Sequence, residues 1–247
     1  MKIASIVLLL ILPLALLGQN KKIEFGLSLG NNGQLDKTLN DYYFPGHETA
    51  YLDDSYEDKT TNLKYSGSLR YFINKEISIR LKFGYAIRKD YYTKSDPDRY
   101  VDYDFKQTVF NVGPSICFSK SFDKLEIMTG FEIPIFSVGN FNFSSNYKVI
   151  PDSITVTQEV NSTITMGGGL IWGVNNFICL RYFFTDRVGI GAEFDYGLLF
   201  ADLGDTYQRG TEYVIPSQPT TNSEFDKQYK KTFFSPPEVS FGLYIQL

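Results

Sequence analysis

Leu69-Arg-Tyr-Phe-Ile-Asn-Lys-Glu-Ile-Ser-Ile-Arg-Leu-Lys-Phe-Gly-Tyr85 recurs 111 positions later as Leu180-Arg-Tyr-Phe-Phe-Thr-Asp-Arg-Val-Gly-Ile-Gly-Ala-Glu-Phe-Asp-Tyr196. Each copy ends one strand, turns in a few residues and enters a strand of strict alternation. In the first copy Ile77, Ile79, Leu81, Phe83 and Tyr85 face one way and Ser78, Arg80, Lys82 and Gly84 the other. In the second, Val188, Ile190, Ala192, Phe194 and Tyr196 oppose Gly189, Gly191, Glu193 and Asp195. A period of two is the signature of a strand. The polar face, rich in glycine and in charges of both signs, is the feature that needs a physical home.

The same alternation extends on both sides of the repeat. A first strand covers Lys22 to Gly30, and a second runs from Asn62 to Phe72, turning at Ile73–Lys75 into a third that ends near Arg88. A fourth covers Tyr103 to Phe118, where Pro114 reads as a local bulge because proline cannot donate to a ladder. A fifth alternates from Leu125 to Ile135, and a sixth runs from Ile164 to Tyr182. Asn175-Asn176 reads either as a small irregularity in one long strand, the reading that keeps the strand count even, or as a hairpin turn. The seventh spans Val188 to Phe200, and the last alternates to Leu247. Between them lie short turns near Asn74, Phe122 and Asp186, and long polar connections at Asn31–Thr60, Lys89–Asp102, Ser137–Gln158 and Ala201–Phe233.

The chain opens with Lys2 and an apolar run from Ile3 to Leu17. That run is shorter than the roughly 20 residues a spanning helix needs. It reads as a cleaved signal peptide over residues 1–18, cut between Gly18 and Gln19. The single mature domain is then 19–247. No later stretch is a continuous apolar span, and the slightly acidic net charge of −4 gives nucleic acid no basic patch to grip. Cys117 and Cys179 take inward parity two strands apart, nearly 10 Å at ordinary strand spacing. That exceeds the roughly 7 Å Cα limit of a disulfide, so both read as free buried thiols, with a bridge as the alternative if the chain is distorted at Pro114.

Eight alternating strands with short turns at one end and long loops at the other predict an all-β, eight-stranded antiparallel up-and-down transmembrane β-barrel. The short turns would lie in the periplasm and the four long loops outside the cell. Ile77 to Tyr85 matches the roughly 9–11 residues of a tilted membrane strand. Tyr71 and Tyr182 on the turn side, with Tyr85 and Tyr196 on the loop side, match two interfacial girdles. The polar parity would then fill the interior: Arg70, Arg80, Lys82 and Arg181 beside Glu24, Glu126, Glu132, Glu193 and Asp195. Charges so placed must be paired. The pattern is porin-like, but eight strands leave an interior just wide enough for side chains. A soluble lipocalin-like ligand-binding barrel is the alternative, and it needs its apolar face inside.

The stretches Phe25-Gly-Leu-Ser-Leu-Gly-Asn-Asn32 and Leu180 to Tyr196, with a signal ending just before a glutamine, resemble the outer-membrane β-barrel domain proteins of the Bacteroidota. This broad family includes the PorT-type barrels. The resemblance implies the cell outer membrane as location and a barrel framework, without assigning an activity. The final residue, Leu247, departs from the terminal aromatic common in outer-membrane proteins.

Catalysis through an activated nucleophile needs a base beside it. The only histidine, His47, stands in the first long loop between Gly46 and Glu48. Asp53-Asp54 and Glu57-Asp58 lack the spacing of a recognised calcium loop. The expectation is therefore a protein that is not an enzyme, with no catalytic, cofactor-binding or metal-ligating residues and no cofactor. Its partners would be outer-membrane lipid and lipopolysaccharide, with a protein partner at the surface as a further expectation. The role expected is structural, anchoring or surface-binding through the loops. An accessory place in a secretion or surface-assembly complex is the alternative.

Overall fold

The computed structural model describes residues 22–31, 39, 63–96, 99–150, 156–216 and 218–247. Eleven strands cover most of them: β1 (Ile23–Asn31), β2 (Leu63–Phe72), β3 (Ile77–Asp96), β4 (Arg99–Phe122), β5 (Leu125–Glu132), β6 (Ile135–Val138), β7 (Phe141–Val149), β8 (Gln158–Met166), β9 (Gly169–Phe183), β10 (Val188–Ile215) and β11 (Thr221–Gln246). All pair antiparallel in one sheet.

This overturns the expectation of a clean eight-stranded up-and-down barrel with four long loops. Three of the expected loops are largely strand. The β3–β4 hairpin pairs through Asp96↔Arg99, β7 pairs with β8 through Val149↔Gln158, and β10 pairs with β11 through Thr211↔Thr221. The fourth, Asn31–Thr60, lies outside the described residues apart from Asn31 and Leu39. The signal segment also lies outside them.

Strand breaks account for the rest of the difference. Between β5 and β6, Pro134 supplies no donor, yet Ser115↔Glu132 and Val112↔Ile135 keep one register across the gap. Ile133 N–H donates to Pro114 O at 3.0 Å and Gly173 N–H to Pro134 O at 3.1 Å. Pro114 itself is no bulge, because the β3–β4 register passes through Leu81↔Pro114 unbroken. Asn175-Asn176 is neither turn nor irregularity, since β9 pairs through both residues on both edges. The break falls instead at Gly167-Gly168, where a Cβ on Gly168 would stand 1.9 Å from Val138 O. Ile164 and Met166 before it are buried, whereas Leu170, Trp172 and Val174 after it are exposed.

Hydrogen-bonded neighbours form a ring: β1–β2–β3–β4, then β5 and β6, then β9–β10–β11 and back to β1. At the end away from the short turns, β7 and β8 take the place of β6 and β9 between β4 and β10. The repeated hairpins turn alike. Glu76 and Ile77 N–H donate to Asn74 Oδ1 at 2.8 and 2.7 Å, and Arg187 and Val188 N–H to Thr185 Oγ1 at 3.2 and 3.0 Å. These short side-chain acceptors close the turns locally.

Burial separates the two parities of the ring. The apolar parity is exposed, with Leu27 at 52%, Phe131 at 58% and Ile190 at 53%, while Arg70 is at 0% and Arg181 at 1%. Farther from the short turns the interior becomes apolar, with Phe105, Val109, Phe136, Phe141, Ile171, Leu199 and Leu203 in one cluster that also holds Leu39.

Candidate functional site

The interior between the short turns and the apolar cluster is the chemically distinctive part of the molecule. Arg70 leaves β2 and Arg181 leaves β9, equivalent positions of the repeated hairpin, and they share two acids. Arg70 Nη1 and Nη2 lie 3.0 and 3.1 Å from Glu126 Oε1, and Nη1 lies 3.6 Å from Glu24 Oε2. Arg181 Nη1 lies 2.5 Å from Glu24 Oε1 and 3.5 Å from Glu126 Oε2. The result is a four-membered ring of alternating charge. Arg70 also donates to Ser78 Oγ and Ser119 Oγ at 2.7 and 2.9 Å, and Arg181 Nε donates to Cys179 Sγ at 3.4 Å. The Arg70 guanidinium lies 4.2 Å from the Phe72 ring centre and that of Arg181 3.9 Å from Tyr244. Delocalised and weakly hydrated, guanidinium groups suit such burial better than ammonium does.

A second network sits deeper. Arg80 pairs with Glu193 and, at 3.1 Å, with Glu132, while its Nε donates to Ser115 Oγ at 3.1 Å. Lys82 Nζ lies 2.7 Å from Glu193 Oε1 and 3.0 Å from Asp195 Oδ2. Arg80 stacks 4.1 Å from the Phe177 ring centre. Every interior charge expected from the sequence is thus buried and paired. At 0–9% side-chain exposure, an unpaired ion would cost several kcal/mol.

Sequence reading missed three further features. Lys64 pairs with Glu238 at 3.8 Å, Arg88 donates to Gln107 Oε1, and an apolar core lies above the charges. Lys64 and Arg88 share inward parity with Lys82, which is the signal that could have found them. Inner glycines make room for varied neighbours: a Cβ on Gly84 would meet Asn111 Oδ1 at 2.2 Å, and one on Gly191 would meet Arg181 Cγ at 2.9 Å. A Cβ on Gly130 would meet Ile116 O at 2.0 Å and Phe177 Cζ at 2.8 Å.

Cys117 and Cys179 are both buried and free. Each pairs across β5, opposite Gly130 and Met128 respectively, so a whole strand separates them. Among the described residues no three of His, Cys, Asp and Glu are placed to hold a metal ion. His47 and the acidic pairs Asp53-Asp54 and Glu57-Asp58 lie outside the described residues. A soluble lipocalin-like barrel would keep its apolar parity inside and its charges outside, whereas in the part of the ring near the short turns the charged parity is the buried one.

No protein-family model matches the chain, and no curated protein matches it. Among solved structures it is similar to a major outer membrane protein from Thermus thermophilus, with 9% identity over 90% of this chain and 99% of that one and a TM-score of 0.37. It is also similar to Ail, the attachment invasion locus protein of Yersinia pestis, at 12% identity over 91% and 97%, TM-score 0.30. LpxR from Salmonella typhimurium matches at 8% identity over 91% and 100%, TM-score 0.26. These are distant structural likenesses to bacterial outer-membrane, strand-rich proteins. None of the three specifies the Bacteroidota or PorT-type group.

Proposed function

We propose that this chain is a non-catalytic outer-membrane protein with a structural, anchoring or surface-binding role. Its apolar outer face would lie in outer-membrane lipid and lipopolysaccharide, and its long hairpins would reach beyond the bilayer. The inverted burial carries this reading. Soluble monomers rarely expose contiguous apolar patches beyond a few hundred Å², yet here Leu27, Leu81, Ile116, Ile127, Ile178, Ile190 and Leu243 stand exposed around the whole ring. In hydrocarbon the same face is satisfied, and a ring of pairings leaves no unbonded sheet edge there. Tyr71, Tyr85, Tyr182 and Tyr196 are all exposed at the two margins of the band, where amphipathic rings favour the interface.

The test is Leu81→Arg, on the outer face of β3. In lipid, arginine near the midplane costs roughly 2–4 kcal/mol, so folding into vesicles should weaken by that amount. A soluble protein would accept the exposed arginine at almost no cost, and an unchanged stability sinks the membrane reading.

A second reading is an accessory role in an outer-membrane secretion or surface-assembly complex. The β10–β11 hairpin favours it by running well past the band, from Asp195↔Glu238 to Thr211↔Thr221. Crosslinking and pull-down of the full chain from its native membrane separates the two. A stoichiometric protein partner supports the assembly role, and recovery of the chain alone supports the structural or surface-binding one.

A further inference from the structure

Where β1 ends and β2 begins, the ionic interior has an upper margin, at the end of the ring opposite the short turns. Asp195 and Glu238 are direct cross-strand partners there, two carboxylates side by side on β10 and β11. Like charges so placed repel. Each is answered by a lysine: Lys82 Nζ on β3 is 3.0 Å from Asp195 Oδ2, and Lys64 Nζ on β2, with only β1 between its strand and β11, is 3.8 Å from Glu238 Oε2. Between the two pairs lies a small void lined by Lys64, Ser66, Lys82, Asp195, Glu238 and Ser240. It offers about 10 Å³ to the centre of a water molecule, about the room one water requires. Asp195 is one of the lining residues, and its Oδ1 is buried without a hydrogen-bonding partner.

We propose that this void is a binding site for a single water molecule. The water donates to Asp195 Oδ1 and joins the inner pair to the outer one, and Lys64–Glu238 is the latch over its entrance. Charge decides the ligand. Two lysines and two carboxylates line the void, and Lys82 is shared with Glu193 at 2.7 Å, so no excess of positive charge draws an anion, while the two ammonium groups on the wall repel a cation. A space of this size suits a single water. A buried carboxylate oxygen left unsatisfied costs about 1–3 kcal/mol or more, and a water with two to four polar partners removes that cost. The serine hydroxyls and the lysine ammonium groups on the walls supply those partners.

The latch follows from exposure and reach. Side chains of the outer pair are 12% and 15% exposed, against 6% and 9% for the inner pair, so the outer pair meets solvent first. Lys64 also crosses the interior from β2 to bring its Nζ to 5.5 Å from the Phe136 ring centre on β6. The extended ammonium therefore spans the gap between the charged interior and the apolar cluster. The site does not depend on what surrounds the outer face, so it stands apart from the proposed membrane role.

Two measurements on the full-length chain test it. Diffraction at a resolution that places waters should show one peak within hydrogen-bonding distance of Asp195 Oδ1. Asp195 bonded directly to a protein group, or no peak, overturns the site. For the latch, Ser66→Cys places a thiol on the void wall, read by site-resolved mass spectrometry after labelling with a methanethiosulfonate ethylammonium reagent. Labelling should rise at least about tenfold when Lys64→Ala is added, and in the same direction with Glu238→Gln, while Cys117 and Cys179 stay unlabelled. Equal rates with and without the latch residues overturn the latch. Heat-modified gel mobility of each variant, compared with the parent, separates an opened latch from an unfolded chain.

Discussion

Arg70→Ala is the most informative perturbation of the ionic interior. The guanidinium makes two contacts to Glu126 Oε1 at 3.0 and 3.1 Å and donates to two serine hydroxyls. Alanine removes all of these at once. Glu126 keeps only Arg181 Nη1 at 3.5 Å, and that nitrogen is already held by Glu24 at 2.5 Å. Two carboxylates then share one guanidinium at full burial, leaving one net negative charge uncompensated. Removing one partner from a buried pair costs about 3–5 kcal/mol, mostly the stranded charge rather than the lost attraction. Removing both is expected to cost less. Arg70→Met with Glu126→Met leaves Arg181 and Glu24 as a balanced pair and puts apolar atoms where the charges were, a replacement often close to neutral. The assay is equilibrium unfolding in urea from lipid vesicles, with heat-modified gel mobility as an independent reading. If Arg70→Ala falls within about 1 kcal/mol of the parent, or the double variant is weaker than the single one, stranded charge is not what holds this interior together.

Other consequences are testable with single changes. Gly130→Ala pushes a methyl group into Ile116 O and the Phe177 ring. Overpacking of this kind costs about 1–3 kcal/mol, whereas Gly210→Ala, whose Cβ would meet only two side-chain ends, Thr163 Oγ1 at 3.0 Å and Asn222 Oδ1 at 3.3 Å, should lower the urea midpoint much less. Cys117 and Cys179 should resist thiol reagents until the chain is unfolded and then both react, with identical gel mobility under reducing and non-reducing conditions. A disulfide band would refute the strand placement. On the β7–β8 hairpin, hydrogen bonds from Asn146 and Lys148 hold the Glu159 carboxyl below its ordinary value. Because the folded state favours the charged form, its small contribution is present above the unfolded value and lost as pH falls through the lowered one. Carboxyl NMR titration of parent and Asn146→Ala should show the midpoint rising in the variant.

The repeated Leu69–Tyr85 and Leu180–Tyr196 stretches made much of the lower ring legible. Period two placed the strands, the short turns placed hairpin partners, and inward parity collected Glu24, Arg70, Arg80, Lys82, Glu126, Glu132, Arg181, Glu193 and Asp195. The upper sheet was not legible. In β7, β8 and the far halves of β3, β4, β10 and β11, polar residues occupy much of both faces, so hydrophobic alternation fades and strand reads as loop. The strand count failed for a related reason. Pro134 interrupts donors without shifting register, and Gly167-Gly168 reverses which parity faces inward, yet neither changes the local composition enough to be noticed.

What the amino-acid order determined by itself is that two chemically opposite faces run along these strands, one apolar and one carrying charges that have to be matched. Alternation is symmetric, however, and does not say which face is enclosed. In the structure the pairings close, Glu24 against Gln246 on one side and Arg70 on the other, and it is the charged parity, Glu24, Arg70 and Arg181, that the ring buries. Closure also decided which ions meet. Glu24 and Arg181 stand 157 positions apart along the chain, a separation no local pattern encodes. They meet because β1 and β9 face each other across an interior narrow enough for two side chains to span.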